Sequence, residues 1–354
     1  MKANKFITLI FSLGLYLTAA AQDVHYSQFS MSPMLLNPAL AGMSQGDYRI
    51  YANFRTQWNT VSDGSVYRTF AGGGDVALGR PTRFNSYAGL GLSFFSDQAG
   101  SADFQSNRVD LTFAYHFVLS KRRLMTLSFG IQGAFNHIGF DPSRATYDFS
   151  YDQSTGNVNG NQKETFARSK VYFGDIGAGV FYNVNVKKGS DIYLGLGFSH
   201  INQPNISFFK GNNGSGYGEE KLHMKFTAHG GATVQLKDKF WMIPNFFVMV
   251  QGPAQQYNLG ALFKMQMGNK VLSRTFFYLG AQVRLTNSMV YPMTDAVIIH
   301  TRLDYKALTI GLSYDVNISK LMPATSTFGA PEISLVFTGV SKHKPRPGYC
   351  PVML

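Results

Sequence analysis

Three arrangements in this sequence could carry chemistry, and the spacing argues against each. Glycine pairs two residues apart recur at Gly89 and Gly91, Gly177 and Gly179, and Gly195 and Gly197. In a phosphate-binding loop such glycines would follow a strand, open a helix and precede a lysine, and none of these pairs has that context. The histidines His116, His137, His200, His229 and His300 fall in separate segments, without the spacing of metal ligands. Ser199 and His200 are adjacent, but neighbours on a strand point to opposite faces and cannot pair as nucleophile and base. A serine and a histidine meeting across two strands is the one catalytic route left open. The expectation is no enzyme, no cofactor and no metal.

The elements that carry these residues explain the glycines better. From Asp47 onward, apolar and polar residues alternate in segments of about ten, the pattern of strands whose two faces meet different solvents. In Arg108 to Phe117, one face holds Val109, Leu111, Phe113, Tyr115 and Phe117; the other holds Arg108, Asp110, Thr112, Ala114 and His116. Ile192, Leu194, Leu196 and Phe198 likewise oppose Tyr193, Gly195, Gly197 and Ser199. The glycine pairs therefore lie on the polar face. Glycine there leaves interior space, which suggests a lumen filled by a plug or loop.

Similar segments give about fourteen strands, beginning near 47, 66, 86, 104, 124, 170, 190, 222, 239, 255, 274, 296, 307 and 331. The even number returns both ends of the meander to one side of a membrane. Composition agrees with a barrel. Charged residues make up 15% and aromatic residues 14% of the chain, and no stretch after residue 21 is apolar for the length of a membrane helix. The most apolar later run, Phe240 to Val250, is short and interrupted by Pro244 and Asn245.

Residues 1–21 read as a cleavable export signal: Lys2 and Lys5, an apolar run from Phe6 to Leu17, then Ala19, Ala20 and Ala21. The single cysteine, Cys350, cannot form an internal disulfide, so packing or a closed sheet must stabilise an exported chain. The net charge of +12 would ordinarily raise the question of nucleic acid. Export argues against that partner, and the basic residues fall mostly in turns.

Those turns lie on one side. Six short connections, near 80–85, 119–123, 186–189, 237–238, 267–273 and 305–306, alternate with connections that are longer on average. Short turns on the periplasmic side and long loops outside is the outer-membrane arrangement. The short side carries Arg122, Arg123, Lys187 and Lys188, and the tail adds Lys342, Lys344 and Arg346. This basic periplasmic face could meet anionic lipid headgroups or an acidic protein; solvated turns of a basic protein are an equally good reading.

The first segment after residue 21 is unlike a strand. It reads QFSMSPMLLNPALAG from Gln28 to Gly42, and FRTQW follows at Phe54 to Trp58. Asn37, Pro38, Ala39, Ala41 and Gly42, with Arg55, Gln57 and Trp58, resemble the N-terminal motifs of the PorP/SprF family of type IX secretion proteins. SYDVNISKL (Ser313 to Leu321), PEISLVF (Pro331 to Phe337) and CPVML resemble that family's final strands and ending. The last three residues, Val352, Met353 and Leu354, depart from its usual basic residue and phenylalanine. The resemblance implies a non-enzymatic outer-membrane barrel of the type IX secretion or gliding machinery of Bacteroidota. Its partners would be outer-membrane lipid and secretion components, or a secreted adhesin with a type IX C-terminal domain.

The expected organisation is therefore a signal peptide (1–21), an N-terminal periplasmic or plug segment (22–46), a single antiparallel transmembrane β-barrel (47–340) and a short basic periplasmic tail (341–354). Asn37, Pro38, Ala39 and Gly42, with Arg55, Gln57 and Trp58, are candidates for plugging the barrel or binding a partner. The rival function is a passive diffusion porin, which would need a wide lumen lined by charge. Many of the inward positions are instead Gly, Ser, Thr or Ala.

Overall fold

A computed structural model describes residues 23, 26–57, 66–79, 86–120, 125–144, 151–152, 157–158, 166–187, 189–209, 218–268, 275–288, 291–319 and 329–340. Among the described residues, fourteen strands close into one antiparallel barrel. In chain order they are β1 (Tyr48–Gln57), β2 (Val66–Leu78), β3 (Tyr87–Gly100), β4 (Phe104–Ser120), β5 (Met125–Gly139), β8 (Lys170–Lys187), β9 (Ser190–Ser199), β10 (Lys225–Lys237), β11 (Phe240–Gln251), β12 (Ala254–Gln266), β13 (Thr275–Ser288), β14 (Tyr291–Tyr305), β15 (Leu308–Asn317) and β16 (Ala330–Gly339). A separate hairpin, β6 (Tyr151–Asp152) with β7 (Asn157–Val158), lies in the connection from β5 to β8. The expected strand starts agree to within a few residues; β14 differs most, beginning at Tyr291 rather than near 296.

β1 closes the ring against β16, in register from Tyr48 opposite Gly339 to Arg55 opposite Glu332. Closure matters because hydrocarbon offers no hydrogen bonds, so a spanning sheet cannot keep an open edge. On β4, Val109, Leu111 and Phe113 point outward and are exposed, while Asp110, Thr112, Ala114 and His116 point inward and are buried. The same alternation places Leu92, Ile131, Ile176, Leu259 and Leu312 on the outside. A belt of exposed apolar side chains this extensive would drive aggregation in water, but it is the surface a bilayer requires.

The connection lengths differ between the two ends. The end that holds the start of β1 and the finish of β16 has the shorter turns, while the opposite end carries 140–169, 200–224 and 318–329. The other connections at that opposite end, such as 101–103 and 252–253, are brief, so three loops account for the asymmetry.

One strand departs from the polar-inside pattern. On β11, Ile243, Phe247 and Met249 face inward and are buried, while Phe246, Val248 and Val250 occupy the other face. Three of its inward side chains are apolar because they pack against protein rather than water, while Asn245 and Gln251 share that face.

Candidate functional site

The lumen is occupied by the chain's own N-terminal segment, residues 26–46. Phe29–Met31 and Pro38–Leu40 form single 3-10 turns and Pro33–Leu36 a single α-turn, so the segment advances in tight steps rather than as a strand. The proline spacing favours this. Pro33 and Pro38 each start a turn, where the missing N–H costs nothing. Asn37 sits between the turns in extended conformation, and its Oδ1 accepts from Ala39 N at 2.9 Å, the capping bond that an Asn before a turn supplies.

The segment crosses the lumen from end to end. Asp23 lies at the long-connection end, where its carboxylate meets His200 Nε2 at 2.9 Å and Lys225 Nζ, and its backbone N–H donates to Gln251 Oε1 at 2.8 Å. Burial alone would favour the uncharged forms here. The facing charges of Lys225 and His200 nevertheless hold the Asp23 carboxyl well below the usual range, and Asp23 with Asp175 raises the His200 imidazole. At the other end, Asp47 N–H donates to Gly339 O at 2.8 Å as the chain enters β1. Parity places the start of β1 and the end of β16 together, as expected. It says nothing of a segment that doubles back through the interior, and Asp23 stands at the opposite end from both.

Below Asp23 comes an ionic cluster. Glu332 accepts the backbone N–H groups of Ser27 at 2.8 Å and Gln28 at 3.0 Å, and Asp315 accepts the Ser27 hydroxyl at 2.7 Å. Arg55 Nη2 reaches Asp315 at 2.8 Å, Arg55 Nη1 reaches Glu332 at 3.3 Å and also the Ser27 hydroxyl, and Arg284 Nη1 reaches Asp315 at 2.8 Å. Gln57, with its amide oxygen turned to the guanidinium, accepts from Arg55 Nε at 2.8 Å. Each buried charge thus has an opposite charge and hydrogen bonds, without which burial would be prohibitive.

Midway down, the Asn37 side chain donates to the carbonyls of Val180 at 3.0 Å and Leu196 at 3.1 Å, on the paired strands β8 and β9, and lies 3.2 Å from His229 Nε2. Farther on, Gly42 N–H donates to Asp75 at 2.7 Å, Arg49 bonds both Asp75 and the Leu40 carbonyl, and His116 Nε2 lies 2.8 Å from the Ala41 carbonyl. Between these polar levels, Phe29, Leu36, Ala39, Leu40 and Met43 pack on Phe181, Ile243, Phe247, Met249 and Leu262 of the wall.

The glycine pairs at 89/91, 177/179 and 195/197 lie, with one exception, where the segment touches the wall. A Cβ on Gly89 would overlap the Ala41 carbonyl, one on Gly130 the Pro38–Ala39 peptide, and one on Gly179 the Asn37 side chain. Gly91 faces Met34, and Gly195 and Gly197 face Asn37 and Leu36. Gly177 is the exception, since its nearest neighbours are Phe198 and Gln132 of the wall. Gly42 itself has φ of +75° and backs onto the Gly89 Cα, so a side chain there meets both strain and backbone.

Of the residues singled out by sequence, Asn37, Pro38, Ala39 and Gly42 are buried together in the lumen, and Arg55 with Gln57 belongs to the ionic cluster nearer the long-connection end. Trp58 lies outside the described residues, as do Arg122, Arg123, Lys188, Lys342, Lys344 and Arg346. Lys187 ends β8 and is exposed. Sequence reasoning missed Glu332, Asp315, Arg284 and Asp75, and weighed His229 only as a metal ligand. Their signal was available: a charged residue on the inner face of a strand needs a partner, and Asp75, Asp315 and Glu332 all hold such positions.

Ser199 and His200 need a correction. β9 stops at Ser199, and His200 turns with φ of +58°, so the two do not alternate as strand neighbours. Both His200 nitrogens face carboxylates, Nε2 toward Asp23 at 2.9 Å and Nδ1 toward Asp175 at 2.8 Å, which leaves neither to take a proton from Ser199. Among the described residues, no group of three His, Cys, Asp or Glu side chains could hold a metal ion.

Asn37→Asp tests the middle level. It keeps the capping oxygen but turns a carboxylate toward two carbonyls, and leaving those acceptors unpaired costs about 1–3 kcal/mol. The expected outcome is faster cleavage within 26–46 under limited proteolysis in detergent; wild-type protection would refute it.

A closed antiparallel sheet with an apolar belt and a polar, filled interior defines a transmembrane β-barrel of the outer-membrane type. The chain belongs to the PorP/SprF family, described as type IX secretion system membrane protein PorP/SprF, whose profile matches residues 18–337. It is an outer-membrane protein related to secretion. No curated protein matches the chain in sequence. Among solved structures it is similar to the CymD monoaromatic hydrocarbon channel (11% identity, TM-score 0.49, covering 88% of this chain and 94% of that one). It is also similar to the toluene transporter TodX of P. putida (8% identity, TM-score 0.48, 91% and 96%) and to CdiB from Escherichia coli (8% identity, TM-score 0.46, 81% of this chain and 63% of that one).

Proposed function

We propose that this protein is a non-enzymatic, self-occluded barrel of the type IX secretion and gliding machinery, a docking platform that helps secrete or anchor cargo such as an adhesin. The observation that carries this reading is the segment 26–46, bonded to the wall at successive levels from Glu332 to Asp75. A lumen filled in this way is unsuited to diffusion, so binding is the use left to its two ends. In this reading the end with 140–169, 200–224 and 318–329 faces outward. The short turns, with Lys187, Lys188, Arg122 and Arg123, and the basic tail with Lys342, Lys344 and Arg346, face the periplasm and meet headgroups or acidic partners.

Two measurements test the proposal. In planar bilayers the purified protein is expected to show no steady open state, and large persistent steps would favour the porin. From detergent extracts of its own cells, it is expected to bring down type IX components or an adhesin C-terminal domain. Recovery of neither would overturn the secretion role.

A further inference from the structure

Beside the first turns of the N-terminal segment, at the long-connection end, part of the lumen is unfilled. A chamber of about 310 Å³ lies there, with Tyr26, Phe29 and Leu36 as its floor. That is the small end of the range of about 300–1,000 Å³ over which proteins enclose ligand groups. Phe104, Phe173 and Phe247 are among its walls, and Ile206, Phe208 and Leu222 come over it from the connection 200–224. This roof is held by packing, since Ile206 and Leu222 form one apolar cluster with Ile138 and Val171 of the barrel.

Most of the charged groups lining the chamber are engaged with one another, while Asp97, which accepts from Thr69 Oγ1 at 2.7 Å, and Glu220 line it outside those pairs. Arg108 pairs with Asp110 and, at 2.9 Å, with Asp175; Lys225 and His200 pair with Asp23. An anionic ligand would have to break these pairs and would meet Asp97 and Glu220 as well, whereas an apolar one meets aromatic walls. The chamber is closed beneath by the N-terminal segment, so its occupant arrives from the long-connection end. The apolar surface also continues past the opening. Phe208 packs edge-on against Phe140 at 5.0 Å, Phe140 against Phe166 at 4.9 Å, and Phe166 meets Phe209 at 5.2 Å, with Phe209 46% exposed. A small molecule would fill the chamber and leave this ledge bare, while a polypeptide can cover both.

We propose that the chamber and its aromatic ledge are an anchor pocket for an uncharged, apolar side-chain cluster presented by the secreted partner. Buried aromatic anchors surrounded by a polar rim are the usual source of binding energy in protein interfaces. This inference rests on the outward orientation and the cargo role proposed above.

The test places the photo-crosslinking residue p-benzoylphenylalanine at Phe208 in the full-length protein in its own cells. Illumination is expected to join it to an exported polypeptide, and peptide mass mapping should place the link on or next to an apolar side chain. Ser106 lines the chamber, and Ser106→Trp, which fills it, should reduce the adduct at least tenfold at an unchanged amount of folded barrel. Ser199→Phe replaces it if that variant folds poorly. No adduct, an adduct of lipid or small-molecule mass, or one that survives filling would overturn the pocket. Recovery of secretion components by the unfilled protein in any of those cases would leave the docking role standing; their absence would remove both.

Discussion

Gly89→Val combined with Gly130→Val is expected to turn the closed barrel into a conducting one. Each new side chain would start inside backbone atoms of the inner segment, the Ala41 carbonyl for the first and the Pro38–Ala39 peptide for the second. Backbone cannot swing aside as a long side chain can, so the segment must leave its seat or the wall must distort. The wall should hold, because valine suits a strand better than glycine does. Overpacking costs about 1–3 kcal/mol at each site, enough together to release a segment held mainly by side-chain bonds. Gly133→Val is the control. It lies on β5 as Gly130 does, faces outward and has no atom within 4 Å of its new Cβ. The measurement is single-channel current, with long steps from the double variant and none from the control. Silence from a folded double variant would mean that the glycines do not seat the segment.

Arg55→Ala should cause the largest loss of stability from a single substitution. Arg55 is 1% exposed and stands between Asp315 and Glu332, each 3% exposed or less. Asp315 would retain Arg284, but Glu332 would lose the cation it faces, and breaking a buried pair in this way costs about 3–5 kcal/mol. Arg55→Lys should fall between the two, because an ammonium cannot reproduce the fork that spans both carboxylates. Removing the stranded carboxyl as well, in Arg55→Met with Glu332→Gln, should recover part of the loss. The temperature at which the folded band disappears on an unheated-versus-heated gel reports the order. Equal temperatures for wild type and Arg55→Ala would show that the cluster holds nothing.

Much of this was written in local pattern. The period-two alternation of Arg108 to Phe117 fixed which side of β4 meets lipid, because strand geometry sends successive side chains to opposite faces whatever the rest of the chain does. Fourteen such segments then required closure, since an open edge has no partner in hydrocarbon. The prolines and Asn37 set the inner segment's turns apart from every strand, and the inward glycines announced space for something.

What filled that space was decided only in three dimensions. Asn37 bonds Val180 and Leu196, and Ser27 bonds Glu332, across separations of 143, 159 and 305 residues. No periodicity records such pairs, because each partner's local environment looks the same whether or not the other is present. The apolar inward side chains of β11 were visible in Phe240 to Val250 but had no meaning until Phe29 and Leu40 were placed against them. The direction of the inner segment was likewise hidden. Strand parity fixes where strands begin and end, but whether a segment before the first strand hangs below the barrel or climbs through it depends on which carboxylates and carbonyls inside can hold it.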